Sequence, residues 1–212
     1  MPDLSRYMLF VAAALLLLVI PGPAVLYIVT RSIDQGRRAG LLSVLGVAVG
    51  AMIHVTAAAV GLSALLLSSS VAYQSVKYLG AAYLIYLGIR KFVDRDDDTE
   101  AVELDAPENW RIFSQGVLTN TLNPKTALFF LAFLPQFVDV SRGSVALQIL
   151  FLGFTFTALG ICSDGSWALL ASTVGGRLKR SFRFVRGQRY LAGSVYLGLG
   201  LATAFSGSRK SN

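Results

Sequence analysis

Six apolar stretches, each about the length of a bilayer-spanning helix, restrict most strongly what this sequence can fold into. A spanning helix needs about 20 consecutive, mostly apolar residues. Because the stretches are continuous and do not alternate between apolar and polar residues, they favour helices over a transmembrane barrel of strands. The predicted fold class is therefore an all-α membrane protein with six transmembrane helices. The stretches are Tyr7–Val29, Ala39–Leu67, Val71–Phe92, Phe113–Val138, Val145–Val174 and Tyr190–Ser206.

The composition agrees with a membrane protein and argues against several soluble classes. Only 15% of the 212 residues are charged, whereas a soluble domain carries about 25%. This shortfall disfavours a water-soluble enzyme, a disordered chain and a nucleic-acid module. The single cysteine, Cys162, and the single histidine, His54, exclude an internal disulfide and a metal centre built from several such ligands. The sequence also lacks a Gly-x-Ser-x-Gly motif, so we expect no enzyme activity, cofactor or metal, and we expect Cys162 to be buried.

The distribution of Lys and Arg predicts the orientation of the chain in the membrane. Alternate joins between the stretches carry 13 of these residues on one side and 4 on the other. Cytoplasmic loops are rich in Lys and Arg, so the basic joins are expected in the cytoplasm and both termini outside. The pI near 9.8 is then explained by contact with lipid headgroups rather than with nucleic acid.

An acidic segment divides the chain into two similar halves. It holds eight of the twelve acidic residues and is predicted to be a solvated cytoplasmic linker over residues 94–111. The first repeat then covers residues 1–93 and the second covers residues 112–212. Three helices per half give the second half the opposite orientation, so the prediction is a 3+3 inverted-topology repeat.

Prolines interrupt the first stretch of each half. Pro21, Gly22 and Pro23 lie within stretch one, and Asn123 and Pro124 lie at the matching place in stretch four. Proline removes a backbone donor and breaks or kinks a helix, and paired interruptions in two halves point to a substrate site near the bilayer midplane. The alternative is that these prolines only bend the helices.

Asp164 is the one acidic residue that lies deep within an apolar stretch. A carboxylate there is costly unless it faces a cavity or a partner. We expect Asp164 either to bind a substrate ammonium or to carry a proton, and a hydrogen bond that packs two helices is the alternative.

Three further polar residues complete the candidate set. Lys125 follows the second proline segment and either holds a carboxylate, pairs with Asp164 or reaches the membrane surface. His54 lies within stretch two and is a second proton-coupling candidate because its pKa range suits a relay, with helix packing as the alternative. Asn120 is predicted to line the interrupted segment.

Glycine and other small residues at a spacing of four suggest close helix packing. Each of the following pairs is predicted to form a small-residue surface on which a neighbouring helix packs closely: Gly36/Gly40, Gly46/Gly50 and Ala57/Gly61.

Several segments together match the residue pattern of a known family. They are residues 21–23, Gly46 and Gly50, residues 77–90, and residues 123–125 followed by 133–137. Over nearly its whole length the chain resembles the LysE/RhtB-type amino-acid exporter family. The resemblance implies a bacterial inner-membrane exporter of amino acids or their derivatives, driven by the proton gradient. It also implies that Pro21, Gly22, Pro23, Asn123, Pro124 and Lys125 belong to the family motif.

The sequence therefore predicts a secondary transporter that works by alternating access and proton antiport. The expected substrate is a small amino-acid-like molecule, with its carboxylate at the interrupted helices near Lys125 and its ammonium at Asp164. Homo-oligomer formation is left open. The alternatives are an exporter or channel for another small solute or a metal ion and, less favoured, a membrane enzyme.

Overall fold

The fold is that of a computed structural model, which describes residues 3–62 and 109–178. Beyond these ranges it describes only single helical positions at residues 75, 78, 82, 85, 86, 89, 194, 197 and 201. Every regular element in the described part is helical, which confirms the all-α prediction there. Stretches three and six, apart from those positions, and linker residues 94–108 lie outside the described residues.

The first helix, α1, runs over Leu4–Val19 and is capped by Asp3, whose side chain accepts a hydrogen bond from the Arg6 N–H. It ends because Ile20 is extended, as is typical of a residue that precedes proline. The next helix, α2, begins at Pro23, where the missing N–H costs nothing because the first amides of a helix have no partner within it. We call residues 20–22 the first break.

Helix α2, Pro23–Ala57, is folded back on itself at Gly36. Gly36 has φ +82°, ψ −178°, a conformation that glycine adopts without steric cost. Ala24 and Val47 pack in one apolar cluster, although in a straight helix they would lie about 35 Å apart. The helix therefore consists of two adjacent arms, α2a (residues 23–35) and α2b (residues 37–57), and a π-helical turn at Ala58–Leu62 continues the second arm.

The second half of the described chain has a similar interruption. Helix α3 covers Asn109–Thr121, so the last three residues of the predicted linker are helical. Helix α4 begins at Pro124 and ends at Leu128, after which the backbone continues as a π-helical segment, Phe129–Phe133, and a 3-10 segment, Leu134–Phe137. A short 3-10 turn at Val140–Arg142 precedes α5, Val145–Leu178. We call residues 122–123 the second break.

Two described segments are long and apolar enough to cross a membrane, Pro23–Gly61 and Val145–Thr173. The first of them contains the turn at Gly36, so α2b with the π-helical turn is the continuous part of this candidate span. Large apolar side chains are also exposed along α1 and α5, as a surface in contact with lipid requires. Examples are Met8, Leu16, Leu147 and Phe154.

Arm α2b and helix α3 approach so closely that side chains are excluded between them. A Cβ atom at Gly50 would lie 2.7 Å from the Val117 carbonyl oxygen, and one at Gly46 would overlap the Phe113 carbonyl. Glycine at this pair of positions thus permits the contact between helix backbones that the four-residue spacing predicts.

Two smaller predictions are wrong, and a third is not tested. Gly36 forms a turn, and a Cβ there would meet nothing within 4 Å, so it is not half of a packing pair with Gly40. The packing predicted for Ala57 and Gly61 stays a prediction, because a Cβ at Gly61 meets nothing within 4 Å among the described residues and the segment that follows Leu62 lies outside them. Cys162 is exposed rather than buried, because on a lipid-facing helix a small apolar residue need not be covered by protein.

We predict that Gly50→Ala destabilises the protein by about 1–3 kcal/mol, the usual cost of overpacking a tight contact. The expected result is a lower melting temperature of the purified protein in detergent. Gly165→Ala is the matched control, since a Cβ at Gly165 meets nothing within 4 Å. Equal melting temperatures for the two variants would contradict the close packing of α2b on α3.

Candidate functional site

The two breaks are in direct contact through the Lys125 side chain. Its Nζ donates a hydrogen bond of 2.5 Å to the carbonyl oxygen of Ile20, which the first break removes from regular helical pairing. The side chain passes over Gly22, where a Cβ atom would lie 3.1 Å from the Lys125 Cδ. Glycine at position 22 therefore makes room for the lysine, and the lysine satisfies a carbonyl that the first break leaves free.

Asn120 holds the second break against α2b. Its Nδ2 donates to the Val47 carbonyl oxygen at 2.7 Å, and its Oδ1 accepts hydrogen bonds from Thr126 Oγ1 at 2.9 Å and Asn123 Nδ2 at 3.3 Å. Asn123 caps α4, because its Oδ1 accepts a bond from the Lys125 N–H. One buried carboxamide thus connects three segments of the chain and fixes where α4 begins.

A cavity of about 40 Å³ lies where the breaks meet. This space suffices for a water molecule but not for an amino acid, so binding a larger solute requires the walls to separate. One part of the lining is polar and comes from Asn120, Asn123, Lys125, Thr126, Thr157 and Asp164. The other part is mostly apolar and includes Leu17, Leu18, Val25, Val47, Ala51, Phe156 and Ile161.

Asp164 and Lys125 bring one carboxylate and one ammonium to the same cavity. Each residue is 7% exposed. Pairing of the two is one of three expected alternatives for Lys125, and no ion pair within 4.0 Å joins them. Among the described residues no donor forms a hydrogen bond to the Asp164 carboxylate. A buried charge without a partner is costly, so the carboxylate is suited to bind a cation or a proton.

The remaining predicted site residues have different positions. Pro21, Pro23 and Pro124 are located at the breaks but do not line the cavity, whereas Gly22 does. His54 does not line it either: its Nε2 lies 3.1 Å from the Asn120 carbonyl oxygen, and its ring stacks on Phe130. His54 thus contacts the site only through the backbone of a lining residue.

Sequence reasoning missed the contacts that hold the helices together on either side of the cavity. On the side of the Gly36 turn, the Tyr27 hydroxyl donates to the Ile112 carbonyl oxygen at 2.7 Å. On the opposite side, near the N-terminus of α1, Arg6 forms an ion pair of 2.9 Å with the buried Asp139. The partners in each contact are far apart in sequence and follow no motif, so only the folded structure identifies these contacts.

A family comparison identifies the kind of protein that carries this cavity. The family model described as LysE type translocator matches residues 15–207. The chain belongs to the LysE type translocator family. This membership confirms the resemblance found in the sequence and, together with the apolar helices, indicates a membrane location for this LysE type translocator.

Individual relatives agree with this assignment. An uncharacterized membrane protein of Vibrio cholerae is 29% identical over 202 residues, with 95% of this chain and 98% of the relative covered. The uncharacterized membrane protein YrhP of Bacillus subtilis is 29% identical, with 93% and 97% covered. A leucine efflux protein of Salmonella typhimurium is 29% identical over 159 residues, with 74% of each chain covered. No solved structure matches the chain.

We predict that Asn120→Ala lowers the free energy of unfolding by about 1–3 kcal/mol, because it leaves the buried Thr126 hydroxyl and Asn123 amide without their acceptor. Thermal unfolding in detergent measures the change. Ser166→Ala is the control, since that exposed hydroxyl bonds only within its own helix. If both variants unfold at the wild-type temperature, Asn120 does not hold the second break in place.

Proposed function

We propose that this translocator exports amino acids or amino-acid derivatives across the bacterial inner membrane as a secondary transporter. The observation that carries the proposal is the shared cavity of Lys125 and Asp164, where a buried ammonium and a buried carboxylate line one space. A zwitterionic solute presents the complementary pair of charges. The printed name of the leucine efflux relative supports the same class of substrate.

The substrate carboxylate is expected at the N-terminus of α2a. The first amides of a helix are unpaired and carry positive partial charge, which attracts anions. Gly22 precedes this helix and offers no side chain to cap it, whereas at α4 the Asn123 side chain already accepts from the Lys125 N–H. The amides of Ala24 and Val25, both in the cavity lining, are therefore open to the carboxylate, and Lys125 adds its charge.

The substrate ammonium then binds Asp164, and its side chain meets the apolar wall. Leu17, Val47, Ala51, Phe156 and Ile161 belong to that wall. An uncharged, aliphatic side chain fits such a lining because no polar group of the substrate is left without a partner. This arrangement favours leucine-like amino acids over charged ones.

Alternating access is supported by the small size of the cavity and by the contacts on either side of it. The Tyr27–Ile112 bond closes the side of the Gly36 turn, and the Arg6–Asp139 ion pair ties α1 to the chain after α4. If the Tyr27–Ile112 bond breaks while the Arg6–Asp139 ion pair is kept, the cavity opens on the side of the Gly36 turn only. The reverse change opens it on the opposite side. The 3+3 inverted repeat suits this motion, and α2a and α4, which begin at Pro23 and Pro124, take matching places in the two halves.

Proton antiport requires a group that holds either the substrate ammonium or a proton. Asp164 meets this requirement, and His54 is the second candidate because it contacts the Asn120 backbone. One proton that moves down 100 mV supplies about 2.3 kcal/mol, enough for substantial accumulation of a solute. In the proposed orientation the basic joins, including the Gly36 turn, face the cytoplasm and both termini lie outside.

The direct test is uptake of radiolabelled leucine by inverted membrane vesicles that contain the protein. We expect uptake above that of vesicles without the protein, and faster uptake when the vesicle lumen is acidic, because an outward-moving proton then drives leucine in. If no amino acid in a panel of aliphatic and polar ones accumulates, the proposed export function is refuted.

We predict that Asp164→Asn separates exchange from proton coupling. Asparagine still accepts a hydrogen bond from an ammonium but carries no charge and does not titrate, so we expect slower exchange of labelled for unlabelled leucine that the pH gradient no longer stimulates. Asp34→Asn, an exposed acid near the Gly36 turn, is the control and keeps the stimulation. Wild-type stimulation in Asp164→Asn would exclude Asp164 as the proton carrier.

We predict that Lys125→Met lowers leucine exchange by at least about tenfold, since a charge-assisted bond to a carboxylate contributes about 1.5–3 kcal/mol. Initial rates in proteoliposomes measure the loss. Arg37→Met, which removes an exposed cation, should leave the rate unchanged. Equal rates in the two variants would show that Lys125 does not act on the substrate.

A further inference from the structure

Arg31 is a buried cation that the proposed mechanism does not use. It lies on α2a and is only 3% exposed. Its Nη2 donates to the Gln115 side-chain oxygen on α3 at 2.5 Å, and its guanidinium lies 5.5 Å from the centre of the Tyr27 ring. No ion pair joins it to an acidic residue of the described chain. Neither Nε nor Nη1 has a hydrogen-bond acceptor, although both are buried.

The unpaired donors leave one complete edge of the guanidinium free. A guanidinium carries five N–H groups in a planar fork, and Gln115 takes one of the two on Nη2. The second N–H of Nη2 remains free. It lies parallel to the N–H of Nε if Gln115 binds the hydrogen on the Nη1 side, and parallel to an N–H of Nη1 if Gln115 binds the hydrogen on the Nε side. Two parallel N–H groups match the two oxygens of a carboxylate.

The free edge of the Arg31 guanidinium lies close to the cavity. Arg31 lies seven residues after Ala24 on α2a, and Gln115 lies five residues before Asn120 on α3. At the helical rise per residue, these spacings place the Arg31–Gln115 pair about 8–10 Å from the cavity. Both helices contribute to the cavity lining. The Arg31–Gln115 pair therefore lies between the cavity and the Gly36 turn, on the route that a cytoplasmic solute takes to the cavity in the proposed mechanism.

We propose that Arg31, held by Gln115, is a second carboxylate-binding site that captures the amino acid on its way to the cavity. Buried contacts on the two cavity-lining helices favour a transported carboxylate over the phosphate of a lipid headgroup, which would need an exposed cation. The planar fork gives a geometry that a lysine does not reproduce. This inference rests on the proposed export of amino acids and adds a step that precedes binding at Lys125 and Asp164.

The test measures competition against labelled leucine counterflow in proteoliposomes by unlabelled leucine and by leucinamide, which lacks the carboxylate. In Arg31→Gln we expect the inhibition constant of leucine to rise about tenfold or more, while that of leucinamide changes less than about twofold. Arg31→Lys should fall between, because it keeps the charge and loses the fork. Arg37→Gln, which alters an exposed arginine beyond the turn, should match the wild type.

If Arg31 had a purely structural role, Arg31→Gln would raise the inhibition constants of leucine and leucinamide equally, and that result would overturn the proposal. An unchanged inhibition constant for leucine would overturn it as well. A third result would also overturn the proposal. If counterflow depends on anionic phospholipid in the wild type but not in Arg31→Gln, and the inhibition constant of leucine is unchanged, the guanidinium binds a headgroup phosphate. Absence of leucine counterflow in the wild type is a different outcome, because it refutes the proposed function on which this step rests.

If Arg31→Gln fails to reach the membrane, Gln115→Glu tests the same site. The new carboxylate lies where Gln115 Oε1 now contacts the guanidinium, so it occupies the fork from within the protein. We expect the same selective loss for leucine and an unchanged value for leucinamide. A wild-type inhibition constant for leucine in Gln115→Glu would overturn the proposal.

Discussion

The hydrogen bond from Lys125 Nζ to the Ile20 carbonyl oxygen is the interaction on which the site depends. In lipid, a backbone group released by a helix break must find a partner within the protein. Here the carbonyl freed by the first break is satisfied by a cation placed by the second break. The second break is capped from within its own segment by Asn123, whereas the first break depends on Lys125 from the second, so the need to pair polar groups where water is scarce holds the two breaks together.

The surrounding fold supplies what this contact requires. The reversal at Gly36 brings α2a beside α2b, and the small residues Gly46 and Gly50 let α2b approach α3 closely enough for Asn120 to reach the Val47 carbonyl. Asn120 in turn fixes the start of α4 and so the position of Lys125. The polar side of the cavity is therefore set by backbone geometry and helix packing rather than by flexible side chains on loops.

Much of the fold could be predicted from the sequence, because long apolar stretches have few alternatives to helices in a membrane. The packing of Gly46 and Gly50 follows from spacing, but the same spacing misassigned Gly36, since a turn glycine and a packing glycine look alike in sequence. The sequence predicts Lys125 and Asp164 as site residues, but it leaves open whether they pair, and in the structure they line one cavity without forming an ion pair. Whether a lysine bonds a carboxylate or a distant carbonyl depends on helix rotation, which sequence periodicity does not fix. The unpaired donors of Arg31 could not be predicted for the same reason, because an arginine near a helix end is expected at the membrane surface.

Protection of a cavity residue by substrate tests the central claim, that the meeting breaks form the substrate site. Ala51 lines the cavity and is 4% exposed, so Ala51→Cys in a Cys162→Ser background places one thiol in its wall. In a variant that still transports leucine, saturating leucine should slow alkylation of this thiol several-fold, while a thiol at Ser144, in the exposed join before α5, should react at the same rate with and without leucine. Equal alkylation rates of the Ala51→Cys thiol with and without leucine would contradict the account, because the transported molecule would then pass elsewhere.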